Sequence, residues 1–307
     1  MTLWLNFGGC QSPSLWTANI KKCLTTNQIS EVSGLRKSIN RKNIMNFTKL
    51  SATGNDFILF DNRDGQLKGN EHEYFQKICQ RRLSVGADGI LLLNASEQHH
   101  FSMVYYNSDG HIGEMCGNGA RAASWYAYMK GIAPKKITFD VLDVIYHAEI
   151  IDTGVRLQMP PPVEINLHPG ALEESSFEEG GYLNVGVPHY VLFTENIEEI
   201  NVYTIGQKYR HHPKFQPWGT NTNFVQIIGQ NEIKIRTYER GVEQETLACG
   251  TGTISSAIVA YKQKGIQPPI KVTARGGTLF VEFDPDLQNI TLTGEVNIIF
   301  EGELVHH

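Results

Sequence analysis

From Met45 to the C-terminus the hydrophobic and polar positions follow one order of elements twice. In the first pass Phe101-Ser-Met-Val-Tyr-Tyr106 reads as a strand and runs into the turn-forming Asn107-Ser-Asp-Gly110. Glu114-Met-Cys-Gly-Asn-Gly-Ala120 follows, then a helical stretch from Arg121 to Lys130 closed by Gly131, and strands at Lys136–Asp140 and Val144–Ile151. In the second pass Glu232-Ile-Lys-Ile-Arg-Thr-Tyr238 alternates with a period of two and leads into Glu239-Arg-Gly241. Leu247-Ala-Cys-Gly-Thr-Gly-Thr253 follows, then a helical stretch from Ile254 to Lys264 closed by Gly265, and strands at Ile270–Ala274 and Thr278–Phe283.

The correspondence extends upstream. Gly54-Asn-Asp-Phe-Ile-Leu-Phe60 and Val187-Pro-His-Tyr-Val-Leu-Phe193 each read as a turn feeding a buried strand. Each precedes its own strand–turn–strand unit, at Gly89–Tyr106 and Asn223–Tyr238. The expected fold class is α/β (α+β), with two pseudo-symmetric lobes. Each lobe is a mostly antiparallel sheet or barrel wrapped around a central helix that starts at a Cys-Gly-x-Gly turn. The expected lobes span 45–158, joined by the tail 295–307, and 159–294. Pro160-Pro161-Pro162 supplies a hinge between them, because the proline ring fixes φ and resists both helix and central strand.

Composition narrows the function. The 307 residues carry a net charge of −5, which gives no reason to expect nucleic acid or an anionic membrane as a partner. No apolar run approaches the roughly 18–20 residues that span a bilayer. The five cysteines are Cys10, Cys23, Cys79, Cys116 and Cys249. An odd number of widely spaced cysteines in a chain of this length argues for a reducing compartment, so a cytoplasmic location is expected. Metal-ligand spacing is absent, and His99-His100, His211-His212 and His306-His307 read as surface or loop pairs. Residues 1–44 depart from the pattern, with Glu31 as their one acidic residue against six basic ones. They are expected to be a disordered extension or upstream sequence preceding the true start, and no function attaches to them. Cys79, in Phe75-Gln-Lys-Ile-Cys-Gln80, reads as a core residue of an amphipathic helix.

The chemistry concentrates at Cys116 and Cys249. The glycines that follow each allow close backbone approach and turn N–H groups outward. A helix N-terminus adds partial positive charge, which is expected to lower the thiol pKa below about 8.5. The same amides form a carboxylate site. A lone cysteine is usually a small buried hydrophobe, but two such motifs at equivalent places in a duplicated chain point to a reaction. A racemase or epimerase removes a proton from one face of a stereocentre and returns one to the other. A thiolate and a thiol on opposite sides of Cα perform this, provided the carbanion-like transition state is stabilised. One preorganised donor aimed at the carboxylate contributes about 10²–10³ in rate.

Gly54-Asn-Asp-Phe57, Gly86-Ala-Asp-Gly89, Asn107-x-Asp-Gly110, Cys116-Gly-Asn-Gly-Ala-Arg121, Pro188-His189, Asn221-Thr-Asn-Phe224, Glu239-Arg-Gly241 and Glu245-Thr-Leu-Ala-Cys-Gly-Thr-Gly252 occur in the order seen in diaminopimelate epimerases. From Met45 onward the chain resembles that family. The resemblance implies interconversion of LL- and meso-diaminopimelate in lysine and peptidoglycan biosynthesis, with no pyridoxal phosphate, metal or other cofactor. It implies Cys116 and Cys249 as the acid–base pair, with His189 and Glu239 supporting catalysis. The amides of Gly117-Asn118 and Gly250-Thr251 would hold the reacting carboxylate, and Asn55, Asn107, Asn221, Glu239 and Arg240 would bind the other polar groups. The implied partner is the small-molecule substrate, and a homodimer is the assembly considered. Two positions depart from the pattern. Val187 stands where many members have a substrate-contacting Asn, and Gly89 where some carry a substrate-contacting Gln. Racemisation of another amino acid, such as histidine, therefore stands as the alternative. A carboxylate-binding protein without turnover and a thiol redox protein are the readings from other classes.

Overall fold

The computed structural model describes residues 44–173 and 176–305. The expectation for the N-terminal extension, with Cys10 and Cys23, lies outside the described residues, as does the pair His306-His307. Within residues 46–302, which form one compact unit, the duplicated pattern becomes a duplicated topology.

The first half contains β1 (Ile44–Ala52), β2 (Asn55–Asp61), α1 (His72–Cys79), β3 (Gly89–Asn94), β4 (Phe101–Asn107), α2 (Gly117–Met129), β5 (Lys136–Val141), β6 (Val144–Ile151) and β7 (Gly154–Met159). The second contains β8 (Glu164–Asn166), β9 (Glu178–Asn184), β10 (Pro188–Phe193), α3 (Val202–Arg210), β11 (Asn221–Gly229), β12 (Glu232–Glu239), β13 (Gln244–Thr246), α4 (Gly250–Lys264), β14 (Ile270–Ala274), β15 (Gly277–Glu282) and β16 (Ile290–Gly294). The strand β17 (Val296–Val305) follows. Short 3-10 turns at Ile197–Glu199 and Pro213–Phe215 flank α3.

The pairings of the two halves match step for step. The β1–β2 hairpin corresponds to β9–β10, both antiparallel. Parallel β2–β3 corresponds to β10–β11, and antiparallel β3–β4 to β11–β12. Parallel β4–β5 corresponds to β12–β14. The antiparallel runs β5–β6–β7 and β14–β15–β16 complete the match. The halves are joined where β7 pairs antiparallel with β16, so that Met159 faces Ile290 and Val155 faces Gly294.

The two central helices begin earlier than the sequence pattern predicts, at Gly117 and Gly250 rather than at Arg121 and Ile254. Cys116 and Cys249 are their N-cap residues. Every residue from Gly117 to Ser124 is buried, and nearly every one from Gly250 to Ala260. A helix buried on all sides has no solvent face and sits inside its sheet. Leu91, Leu157 and Leu292 join Ile254 and Ile258 in one apolar core. Cys79 is buried on α1 as expected. Of the histidine pairs, His212 lies in the loop after α3, where it is buried, with Nε2 3.0 Å from Glu173 Oε1.

The halves touch through two tight turns. Thr53 and Gly54 link β1 to β2 with φ of 54° and 82°, the left-handed pair that suits a two-residue hairpin. A threonine there is strained, since its branched side chain disfavours positive φ. This turn lies against Gly276, whose backbone N–H donates to Leu247 O at 2.8 Å. A methyl group on Gly276 would lie 2.2 Å from Thr53 O, so only glycine fits. Gly276→Ala should therefore cost about 1–3 kcal/mol, the usual range for overpacking, as measured by urea denaturation. Wild-type stability in this variant would show that the turns are not in forced contact.

Candidate active site

The two helix starts converge. A Cβ built on Gly250 would lie 4.0 Å from the Gly117 Cα and 3.7 Å from Asn118 Oδ1, with Leu292 Cδ2 3.2 Å away as the apolar floor. The first intrahelical bonds are Ala120 N–H to Cys116 O and Thr253 N–H to Cys249 O. The amides of residues 117–119 and 250–252 therefore precede both helical ladders. They form two sets of donors at one place.

Cys116 Sγ accepts from the Gly119 amide at 3.4 Å and lies 3.8 Å from Asn55 Oδ1. Asn55 is held by its own amide, which donates to Asp88 Oδ2 at 2.8 Å, leaving Oδ1 to face Cys116 and Asn118. Asp88 is fixed in turn by Arg81 Nη2 at 2.7 Å. Burial works to raise the neighbouring Asp56 carboxyl, but bonds from Arg81 and Lys49 outweigh it and hold it at about 2. Asn118 donates to Asn55 Oδ1 at 3.2 Å and to Ala248 O at 3.3 Å, so one amide touches both thiol loops.

Cys249 Sγ lies 3.5 Å from Thr251 Oγ1. His189 is completely buried on β10, with Nδ1 3.0 Å from Asn223 Nδ2 and Nε2 2.9 Å from Thr251 Oγ1. Asn223 Oδ1 accepts from the Thr237 hydroxyl at 2.9 Å, which orients its amide as donor to His189. His189 is then neutral, with its proton on Nε2 donated to Thr251, and the Thr251 hydroxyl proton is free to point at Cys249. Burial, aided by the Arg240 charge, lowers the His189 pKa to about 3. His189 thus reaches the thiol through Thr251.

The expected lowering of the thiol pKa values is overturned. Burial pushes Cys116 up to about 11, outweighing the Gly119 and Asn118 amides, and the Glu239 carboxylate adds to the rise. Burial also raises Cys249, again with Glu239 adding, against the bonds from Thr251 and Gly252. The helix starts do act in the expected direction, but desolvating a sulfur anion costs more.

Glu239, at the end of β12, accepts from the Thr246 hydroxyl at 2.7 Å and has its own pKa raised by burial. Its field reaches both thiols. Arg240 is half-buried and donates from Nη1 to Trp218 O at 3.3 Å. Asn221 is buried, with its amide donating to Pro188 O and its carbonyl accepting from the Arg240 amide N–H, so both ends bind main chain. Asn107 ends β4 and is exposed. The loop carrying Cys249 is anchored by a two-pronged ion pair in which Arg236 Nε and Nη2 each meet Glu245 at 2.7 Å.

Three residues near the thiols, and the side chain of a fourth, are not assigned from sequence. Asp88 and Asn223 lie inside motifs already singled out, so their neighbourhood was visible although their task was not. The Thr251 side chain was hidden behind its backbone amide. Tyr105 gave no signal within its strand. Its hydroxyl pKa is raised by burial and by the charges of Cys116 and Glu239, which places it beside the site. Tyr105 also explains Gly89, where a Cβ would lie 2.5 Å from the Tyr105 ring. At the other departure, Val187 sits in the turn before β10, where its carbonyl accepts from the Val185 amide.

The fold and its paired thiols define a two-lobed isomerase with one cysteine at the head of each central helix. The sequence profile of diaminopimelate epimerase matches this chain twice, at residues 47–164 and 181–299, and the chain belongs to that family. It is 40% identical over 280 residues to the diaminopimelate epimerase of Aquifex aeolicus, covering 85% of this chain and 98% of the relative. The diaminopimelate epimerase of Chlorobaculum tepidum is 39% identical over 262 residues, covering 83% and 99%. Among solved structures, the fold is shared with a Bacillus anthracis phenazine biosynthesis protein of the PhzF family, with TM-score 0.65, 14% identity and coverage of 85% and 99%. It is shared too with a hydroxyproline epimerase from Agrobacterium vitis, with TM-score 0.58, 12% identity and coverage of 86% and 93%.

In the ligand-free protein, alkylation of Cys116 should accelerate about tenfold per pH unit toward its pKa of about 11, with Cys249 trailing. Mass spectrometry of iodoacetamide-treated peptides reads both sites, and rapid modification of either at pH 7 would contradict the burial argument. His189 binds its proton at about 3 when folded and at about 6.5 when unfolded. The unfolded chain therefore takes up more protons between those values, and stability should decline as pH falls from about 6.5 toward 3. Urea titrations of wild type and His189→Gln should show a shallower decline in the variant.

Proposed function

We propose that the protein interconverts LL- and meso-diaminopimelate, a step of lysine and peptidoglycan biosynthesis, by passing the α-proton between Cys116 and Cys249 without pyridoxal phosphate or metal. The observation that carries this reading is that both thiols cap buried helices whose first turns meet at Gly117 and Gly250. One cysteine, as thiolate, takes the proton from Cα. The other, as thiol, delivers its own proton to the opposite face. Each turnover exchanges the protonation states of the pair, and proton exchange with solvent between turnovers, or the reverse reaction, restores them.

The negative charge that develops toward the substrate carboxylate is met by the amides of Gly117-Asn118 and Gly250-Thr251, whose alignment precedes the chemistry. Glu239 and Arg240 meet the ammonium and carboxylate groups of the substrate, while Asn55 and Asn107 donate and accept at its polar atoms. His189 and Asn221 act by holding neighbours: His189 orients the Thr251 hydroxyl, and Asn221 fixes the Arg240 backbone. The expected lobe boundary near 158, a homodimeric assembly and a cytoplasmic location belong to the same proposal.

Wild type incubated with LL-diaminopimelate in D₂O should take up deuterium at Cα. Cys116→Ala and Cys249→Ala should each lose about 10²–10⁴-fold in epimerisation, the range for removing a general acid or base. Absence of exchange into diaminopimelate would overturn the assignment. Exchange into histidine or another amino acid instead would support the alternative substrate.

A further inference from the structure

Arg121 is completely buried on the second turn of α2, and among the described residues no carboxylate bonds it. Its guanidinium donates to three neutral acceptors: Asn118 Oδ1 at 2.9 Å, Thr53 Oγ1 at 3.1 Å and Gly117 O at 3.4 Å. Its Nε has no hydrogen-bond partner among the described residues. A buried cation without an anion is costly, and a methionine or leucine would fill an apolar helix core at lower cost. The second half of the duplicated chain carries an apolar residue at this place. Arg121 stands five residues after Cys116, and the residue five after Cys249 is the fully buried Ile254.

We propose, building on the epimerase reading, that Arg121 is a positioning residue that makes the two half-sites unequal. Its planar fork fixes Asn118 and the strained Thr53 turn, and its charge is balanced by the anion held at the start of α2. Asn118 carries the amide that reaches both Asn55 and the Cys249 loop. Thr53 belongs to the turn that brings Asn55 toward Cys116 and rests on Gly276. One guanidinium thus ties together the hairpin tip, the helix start and the inter-lobe amide. Burial lowers its own pKa to about 10, opposed only by the charge of Cys116, and Arg121 in turn favours the Cys116 thiolate. Among the described residues Cys249 has no buried cation of this kind, and it relies on the neutral His189–Thr251 pair.

The test uses full-length Arg121→Gln and Arg121→Lys, with the alkylation midpoint of each cysteine read separately from peptide masses. In wild type Cys116 should ionise at lower pH than Cys249. Arg121→Gln should raise the Cys116 midpoint by about one pH unit, the lower end of the effect of a nearby charge, and leave Cys249 in place. Arg121→Lys keeps the charge but loses the fork, so its Cys116 midpoint should stay near wild type while kcat falls at least about fivefold with KM within twofold. An unmoved Cys116 midpoint in Arg121→Gln, or equal shifts of both thiols, would overturn the proposal. If circular dichroism shows that Arg121→Gln does not fold, Arg121→Lys decides: wild-type kcat overturns the proposal, and the stated kcat loss with an unmoved midpoint supports it. The midpoints need no turnover. Failure of wild type to exchange diaminopimelate would therefore sink the substrate reading without touching this one.

Discussion

Two helix N-termini facing one buried space set the terms for everything else in this molecule. Each carries about half a positive charge on amides that have no partner in their own helix. Bringing two such ends together is unfavourable unless something negative lies between them. Here they meet closely enough that a side chain at Gly250 would press on Leu292 and approach Gly117. The glycines are therefore required twice over. They expose the amides, and they leave room for the opposite helix. A carboxylate is the natural occupant, and a substrate that brings one has its charge met from both sides before any proton moves.

Keeping two helices in that relation requires the surrounding sheet to behave as one frame. The antiparallel pairing of β7 with β16 supplies continuous backbone bonding across the halves. The chain then crosses over: β8 follows β7 but pairs with β9, while β17 follows β16 and pairs with β1. The edge-on contact of Phe47 with Phe300 adds apolar packing at that second crossing. Arg156, within reach of both Glu149 and Glu282, decorates the joint at the surface and contributes little by itself. The frame is a sheet property, and the polar site inherits its precision from it.

Much of this was legible in the sequence because the chain states its pattern twice. The strands around each cysteine, the closing Gly131 and Gly265, and the antiparallel hairpins at 136–151 and 270–283 follow from alternation and glycine placement. The helix starts are read four residues late, since Cys-Gly-x-Gly has poor helix propensity and the packing of Leu91 and Leu292 against it enters only with the structure. The strand β9 was missed because Gly180 and Gly181 interrupt its pattern. In the site, residue types were informative and orientations were not. Asn221 looked like a ligand and is committed to backbone. His189 reads from sequence as a residue supporting catalysis, and only the structure shows how it is held, as a neutral donor to Thr251. Tyr105, one of many strand aromatics, acquires a role only when Gly89 lets it approach.

The raised thiol pKa values look at first like a defect in a proton-transfer enzyme, but they follow from what the reaction needs. A base strong enough to compete for an α-proton must itself hold protons tightly, and a dry site gives the sulfur that property while strengthening every amide aimed at the carboxylate. The cost is a small thiolate population. A charge on Cys116 raises Cys249 further, so a second ionisation is opposed once the first has occurred. A singly ionised pair has one base and one acid by construction, which is the state that epimerisation requires in either direction. Near-symmetric lobes place the two sulfurs, and the local differences between Arg121 and Ile254 and between Asn55 and Thr251 bias which sulfur holds the charge before substrate arrives.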